Sequence, residues 1–416
     1  MSAAAESVPL QARLLATVFL PFAAGFFLSF LLRNVNAVIS KDLAAEFSLS
    51  SSDLGLLTSA YFLSFAAMQI PVGIFLDRYG PRRVTAFLLL VAAAGAGVFA
   101  LAEGFATLTF GRALIGVGVS CCLMGSMKAF ALWFPLERLA TLNGWTMAAG
   151  ALGGLAATVP VEFAASAVGW RAMFGALAVF AATSAACIYS LVPEKPLPGA
   201  TEGWDEQFGK LATIFGSRLF WRLGLPLFAL QGVFQALFGL WLVPWLMDTQ
   251  GLARSEAAHW LLWAAFTYAL ASILFGQGAD WLAARGIPRL KLMQWGTALG
   301  VAGYFGFLFG GPLPKFAMLM VYTLGAIAPA LCYAILTRRF PTAVSGRLNT
   351  ALNVSMFVCA FAAQVGTGFL LGLFPVDGGR YAAEGYALAF AILGVAQLCA
   401  WWSVVTLRPE PAAANA

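Results

Sequence analysis

Residues Pro71–Arg83 read PVGIFLDRYGPRR. Asp77, Arg78, Arg82 and Arg83 fall within seven positions of a chain that is 61% hydrophobic and 10% charged. An apolar run precedes Asp77, so the charges stand at the end of an apolar helix. About 20 apolar residues cover a bilayer core as a helix. Stretches near that length recur along the 416 residues with almost no ionisable side chain. A soluble protein of this composition would lack the polar surface to stay dissolved. The chain reads as an all-α membrane protein.

Working outward, twelve spans are expected, each bounded by charge, Gly or Pro. Their limits are about 14–46, 53–76, 84–103, 106–135, 138–166, 171–192, 219–247, 256–282, 290–310, 315–340, 346–373 and 384–407. The polar segment PEKPLPGATEGWDEQFGK between the sixth and seventh reads as a connector. It divides the chain into an N-terminal six-helix bundle (1–192), a cytoplasmic linker (193–218) and a C-terminal six-helix bundle (219–416).

Placing the N-terminus in the cytoplasm leaves five of the 24 Lys and Arg outside: Lys41, Arg171, Arg254, Lys315 and Arg380. Three lie within spans (Arg33, Arg112 and Lys128), and the remaining sixteen face the cytoplasm. This positive-inside bias is expected to put both termini in the cytoplasm. The start, MSAAAESVPLQAR, is too polar for a cleaved leader, so the first span is expected to act as an uncleaved signal anchor. The net charge of +6 is scattered between spans, which argues against nucleic acid as a partner. The six cysteines sit in apolar spans without ligand spacing, so neither a disulfide framework nor a metal site is expected.

The halves resemble each other. Gly73 and Asp77 recur as Gly276 and Asp280, and Leu49 and Asp53 as Leu252 and Glu256, at an offset of 203. Phe134, Pro135 and Asn143 recur as Phe340, Pro341 and Asn349 at an offset of 206. Paired homologous halves are a transporter architecture, with the substrate held between them near the midplane.

The stretch Gly73–Arg83 resembles the signature loop between the second and third helices of the major facilitator superfamily, departing in Pro81. The copy Gly276, Asp280, Arg285 and Arg289 is looser. Arg112-Ala-Leu-Ile-Gly116-Val-Gly118 is similar to the family's fourth-helix motif, and Gly169-Trp170-Arg171 to the opening of its sixth helix. The resemblance implies twelve helices in two pseudo-symmetric halves and a secondary transporter without cofactor. It also implies gating or coupling roles for Gly73, Asp77, Arg78, Gly80, Arg82, Arg83, Arg112, Asp280 and Arg285. In the family the Asp77-type carboxylate braces the halves in the outward-open state. Physically, the partly negative C-terminus of the second span is expected to favour Arg82 and Arg83.

Intramembrane charges mark function, since leaving them in lipid costs several kcal/mol. Arg33, Arg112 and Lys128 have no acidic counterpart deep in any span, so an anionic substrate is expected to supply the missing charge. Arg33, with Asn36 one turn later, resembles the first-helix pairing of organophosphate and organic-anion carriers. The seventh span offers Gln231 and Gln235 where those carriers often have a second Arg, which favours a carboxylate over a phosphate. Arg112 and Lys128 stand roughly 24 Å apart along an ideal helix and cannot share one small ligand. Lys128, Tyr333, Asn349 and Asn353 complete the expected pocket, while Gln69, Tyr268, Tyr322 and Gln364 are further polar candidates. Gly150 and Gly154 read as close helix packing.

Three rivals are weaker. A proton-coupled drug or metabolite exporter would be expected to carry a buried acid and a Gly-Pro in the fifth span, where this chain has GALGG. A soft-metal (copper) transporter would use Cys121, Cys122, Met124 and Met127, yet Lys128 beside them repels cations. A membrane sensor would lose the gate motif. No nucleotide-cradling glycine motif is present and the single His259 has no nucleophile nearby, so neither an enzyme nor a nucleotide-driven pump is expected. A proton or a counter-anion is the expected coupling partner, and a monomer the expected state.

Overall fold

The first helix is interrupted before its crossing is complete. In the computed structural model, which describes residues 12–195, 204–310, 314–340, 345–377 and 379–407, α1 (Ala12–Asn34) is followed after a one-residue turn at Val35 by α2 (Asn36–Phe47). Ser48 ends α2 in the left-handed region at φ 52°. The next helix, α3 (Ser51–Ala100), opens on a reciprocal cap. Ser50 Oγ accepts from Asp53 N at 3.1 Å, and Asp53 Oδ2 accepts from Ser50 N at 3.0 Å.

Glycine turns the chain inside two of these long helices. Gly80 lies at φ 82°, ψ 159° and folds α3 into two passes, with Pro81 starting the second. Only glycine adopts that conformation without strain. The fourth pass is α4 (Phe105–Trp133). The fifth begins as α5 (Leu136–Ala156), breaks at Ala157 and Thr158, and resumes in α6 (Val159–Leu191). That break interrupts the single 138–166 span expected from hydropathy. Gly169 at φ 80°, ψ 154° turns α6 into the sixth pass, so Gly169-Trp170-Arg171 is a second glycine turn.

After α7 (Trp204–Phe215) comes α8 (Arg218–Gln250), which carries two π-turns, at Leu227–Gln231 and Leu237–Trp241. Such bulges are rare and cluster at functional positions. Gly251 closes α8 at φ 68°, and Glu256 Oε2 accepts from Ala253 N at 2.9 Å to open α9 (Arg254–Ala284). The Leu49/Asp53 and Leu252/Glu256 repeat is therefore one device used twice: a left-handed helix end followed by a carboxylate cap. The chain continues through α10 (Arg289–Phe309), α11 (Lys315–Thr337), α12 (Ser345–Leu371), a two-residue hairpin of β1 (Val376–Asp377) and β2 (Arg380–Tyr381), and α13 (Ala383–Val405).

Nine of the described helices are long and apolar enough to cross a membrane unaided. The folding of α3 at Gly80, together with the shorter α5 and α10, brings the passes to twelve, six in each half.

The halves meet most closely where α3 crosses α12. A Cβ on Gly368 would stand 2.5 Å from the Ser51 carbonyl oxygen, and one on Gly55 3.0 Å from that of Gln364. Two inter-half ion pairs lie on the same face of the bundle. Lys41 Nζ is 2.7 Å from Asp248 Oδ1, and Arg254 Nη1 is 2.8 Å from Asp42 Oδ2.

Candidate functional site

Arg33 is the last basic residue of α1, just before the turn at Val35, and is 7% exposed. Its guanidinium carbon stands 4.5 Å from the ring centre of Phe30, 5.4 Å from that of Phe65 and 5.1 Å from that of Phe357. Phe357 belongs to α12, so rings from both halves enclose the cation. Its hydrogen-bond partner is neutral: Nε donates to the Tyr61 hydroxyl at 3.5 Å. No carboxylate pairs with Arg33 among the described residues. Tyr268, on α9 of the other half, stacks on Phe234 of α8 with ring centres 4.8 Å apart.

Arg112 is wholly buried, and its Nη1 donates to the Leu32 carbonyl at 2.8 Å. That oxygen lies at the interruption of the first helix, one residue before Arg33. The same guanidinium covers the Tyr61 ring at 5.2 Å. Its Nε and Nη2 are buried without partners. Arg112 thus fixes the backbone that carries Arg33 and the ring whose hydroxyl Arg33 uses. Gln69 does likewise in the fourth pass, donating to the Ser120 carbonyl beside its irregular turn at 3.3 Å.

The expected pocket residues divide by position. Asn36 Nδ2 donates to Thr58 Oγ1 at 3.2 Å, while its Oδ1 is buried and unpartnered. Gln231 lies in the first π-turn of α8 and accepts from the Tyr268 hydroxyl at 3.1 Å, with Gln235 half-buried one turn on. Tyr333 donates to Asn353 Oδ1 at 3.5 Å, and Asn353 Nδ2 donates to Gln69 Oε1 at 3.3 Å, a polar bridge between the halves.

Two expectations give way. Lys128 is no free pocket cation: its ammonium is paired with the Asp77 carboxylate at the half-exposed end of the bundle. Asn349 is exposed, eight residues before the turn of α12 that reaches Arg33, and does not join it.

At the Asp77 face the signature loop is satisfied within its own half. Arg82 Nε donates to the Tyr189 carbonyl at 2.8 Å and Arg83 pairs with Glu194. The two arginines therefore serve the C-terminus of the sixth pass, not that of the second as expected. Arg78 covers the Tyr79 ring at 5.5 Å. Gly73 approaches the other half, its Cβ position 3.2 Å from Arg347 Nη1. In the C-terminal copy Arg285 covers the Trp281 ring at 3.4 Å, while the side chain of Asp280 lies outside the described residues. In the third motif Arg171 pairs with Glu46, which also accepts from Trp170 Nε1 at 2.8 Å.

A buried acid escaped the sequence reading. Asp248, just past the expected limit of the seventh span, has a side chain only 2% exposed. Besides Lys41 it accepts from the Tyr386 hydroxyl at 3.0 Å and from Tyr381 N at 3.2 Å. Burial, with help from the Asp248 and Asp53 carboxylates, pushes the Tyr381 phenol up to about 12. The adjacent opposite charges Lys41-Asp42 were the available signal, but their partners lie more than 200 positions away.

These features define a membrane protein of two helical halves with a buried cation between them. Residues 22–364 match the model of the Major Facilitator Superfamily, and the chain belongs to that family. It is 32% identical over 119 residues to the nitrate/nitrite transporter NrtP of Picosynechococcus sp., covering 29% of this chain and 22% of that one. It is 31% identical over 133 residues to the probable sulfoacetate transporter SauU of Cupriavidus necator, covering 31% and 30%. The chain thus matches less than a third of the length of either relative. In fold it is similar to the inward-facing, unoccupied bacterial homolog of the human lysosomal transporter Spinster, with a TM-score of 0.76, 19% identity, and 95% and 98% of the two chains covered.

Proposed function

We propose that the protein is a secondary active transporter that moves a small organic anion across the bacterial inner membrane by alternating access. One observation carries this reading: Arg33 is buried between the halves with rings and a phenol around it and no carboxylate partner among the described residues. A buried guanidinium without a counter-charge costs several kcal/mol, and a bound anion relieves that cost. Two of the three intramembrane cations are otherwise engaged, Lys128 by Asp77 and Arg112 by the Leu32 carbonyl. A single guanidinium suits a monoanionic carboxylate or sulfonate, which it grips through two parallel N–H donors, better than a phosphate dianion. The names of NrtP and SauU point to anions as well. The excess of Lys and Arg at the Asp77 face orients that face and both termini toward the cytoplasm. The Lys41 face is then external, and its ion pairs close the external entrance. The two bundles, 1–192 and 219–416, move as units about the 193–218 linker, and a proton or counter-anion drives the cycle.

The test is uptake into proteoliposomes of carboxylates, sulfonates, phosphates, sugars and organic cations, with Arg33→Gln in parallel. Anion uptake that Arg33→Gln abolishes supports the reading; transport of cations alone, or anion uptake indifferent to the substitution, refutes it.

A further inference from the structure

The surroundings of Arg33 say more about the body of the substrate than about its charge. Within the N-terminal half, Phe30 and Phe65 face the guanidinium, and Phe357 closes on it from the other half with its ring centre 4.5 Å from that of Phe65. Across the interface a second aromatic bank runs through Phe238, Phe234 and Tyr268, stacked with centroids 4.0 Å and then 4.8 Å apart. Of the nearby amides, Gln231 accepts from the Tyr268 hydroxyl and Asn353 donates to Gln69, while Asn36 Oδ1, one turn from Arg33, and the Gln364 amide on α12 are buried without a partner. The groups that face the guanidinium itself are three rings and the Tyr61 hydroxyl.

A polyhydroxylated acid carries more hydroxyls than these few atoms can partner, and each buried hydroxyl without a partner weakens binding roughly tenfold or more. A flat ring meets the opposite fate, because offset-stacked and edge-to-face pairs with centroids 4.5–7 Å apart are favourable beyond the area they bury.

We infer that the substrate is an aromatic monocarboxylate, its carboxylate on Arg33 and its ring between Phe357 and the Phe234–Tyr268 stack. The inference rests on the anion reading above and narrows it. The carboxylate displaces the Phe30, Phe65 and Phe357 ring faces from the guanidinium, trading cation–π contacts for a bidentate ion pair. The ring then takes up the aromatic neighbours so released.

The experiment is thermal stabilisation of the purified full-length protein by phenylacetate and by gluconate at equal concentration, with Arg33→Gln, Phe357→Leu and Phe357→Ala in parallel. Phenylacetate is expected to stabilise the protein, Arg33→Gln to remove the effect, and Phe357→Ala to raise the phenylacetate concentration needed by about tenfold. Phe357→Leu keeps the volume and is expected to show most of the same loss, which separates ring recognition from a folding defect. Stabilisation by gluconate in preference, still dependent on Arg33, overturns the aromatic assignment while leaving an anion carrier. Stabilisation by neither acid, with organic cations effective instead, overturns both.

Discussion

Lys41 of the first pass lies 2.7 Å from Asp248 of the seventh, joining two helices that belong to different halves. Asp248 is nearly inaccessible and also holds Tyr386 and the Tyr381 backbone, so its carboxylate cannot be lost without leaving three donors short. Breaking such a pair costs about 3 kcal/mol when both partners are buried; Lys41 is partly exposed, so a value nearer 1–2 kcal/mol is expected. Asp248→Asn is expected to favour the state open at the Lys41 face by roughly tenfold, at about 1.4 kcal/mol per decade. A cysteine at Ser52, in the first turn of α3 where its hydroxyl donates to the Gly368 carbonyl at 3.4 Å, labelled by an impermeant maleimide, checks this. Unchanged labelling would mean that the pair is not a lock.

The neighbouring pair, Arg254 with Asp42, is more open to water, at 23% and 38% exposure. Exposed pairs contribute about 1 kcal/mol or less. Asp42→Asn is therefore expected to raise the same labelling less than Asp248→Asn does. An equal or larger effect would show that burial is not what sets the strength of this lock.

Arg112 tests whether a buried charge serves stability or position. Its Nε and Nη2 have no partners, yet its Nη1 holds the carbonyl next to Arg33. Replacing a buried charge by an apolar side chain of similar size is often neutral or stabilising. Arg112→Met is expected to keep or raise the melting temperature while lowering maximal uptake about tenfold or more, because Arg33 loses its backbone support. Calorimetry and transport on one preparation decide the matter. A lower melting temperature with normal uptake would make Arg112 a folding residue.

The helices and their number were legible because hydropathy is a local property written in consecutive residues, whereas Gly80 and Gly169 were legible as motif members and not as the left-handed turns they make. The repeat was legible for the same reason as the helices: Asp53 and Glu256 each cap the helix they begin. Partners were not. Asp248 meets Lys41 across 207 positions, and Lys128 meets Asp77 across 51. No pattern in either segment names the other. Arg112 is satisfied by a backbone carbonyl, which has no sequence signature at all. The π-turns of α8, which carry Gln231 to Tyr268, leave equally little trace in a helical periodicity.

The close crossing of α3 and α12 supplies the last test. Gly368 has no room for a Cβ, since it would stand 2.5 Å from the Ser51 carbonyl oxygen and 3.2 Å from the fully buried Trp241 ring. Neither can yield without moving a helix. Gly368→Val is therefore expected to hold the two helices apart at the Lys41 face and trap the carrier open there, whatever its effect on affinity. Substrate binding would persist while turnover falls by an order of magnitude or more, and the Ser52 cysteine would label as fast as it does with Asp248→Asn. Normal turnover in Gly368→Val would show that closure does not pass through this contact, and that the approach of Gly368 to Ser51 is packing alone.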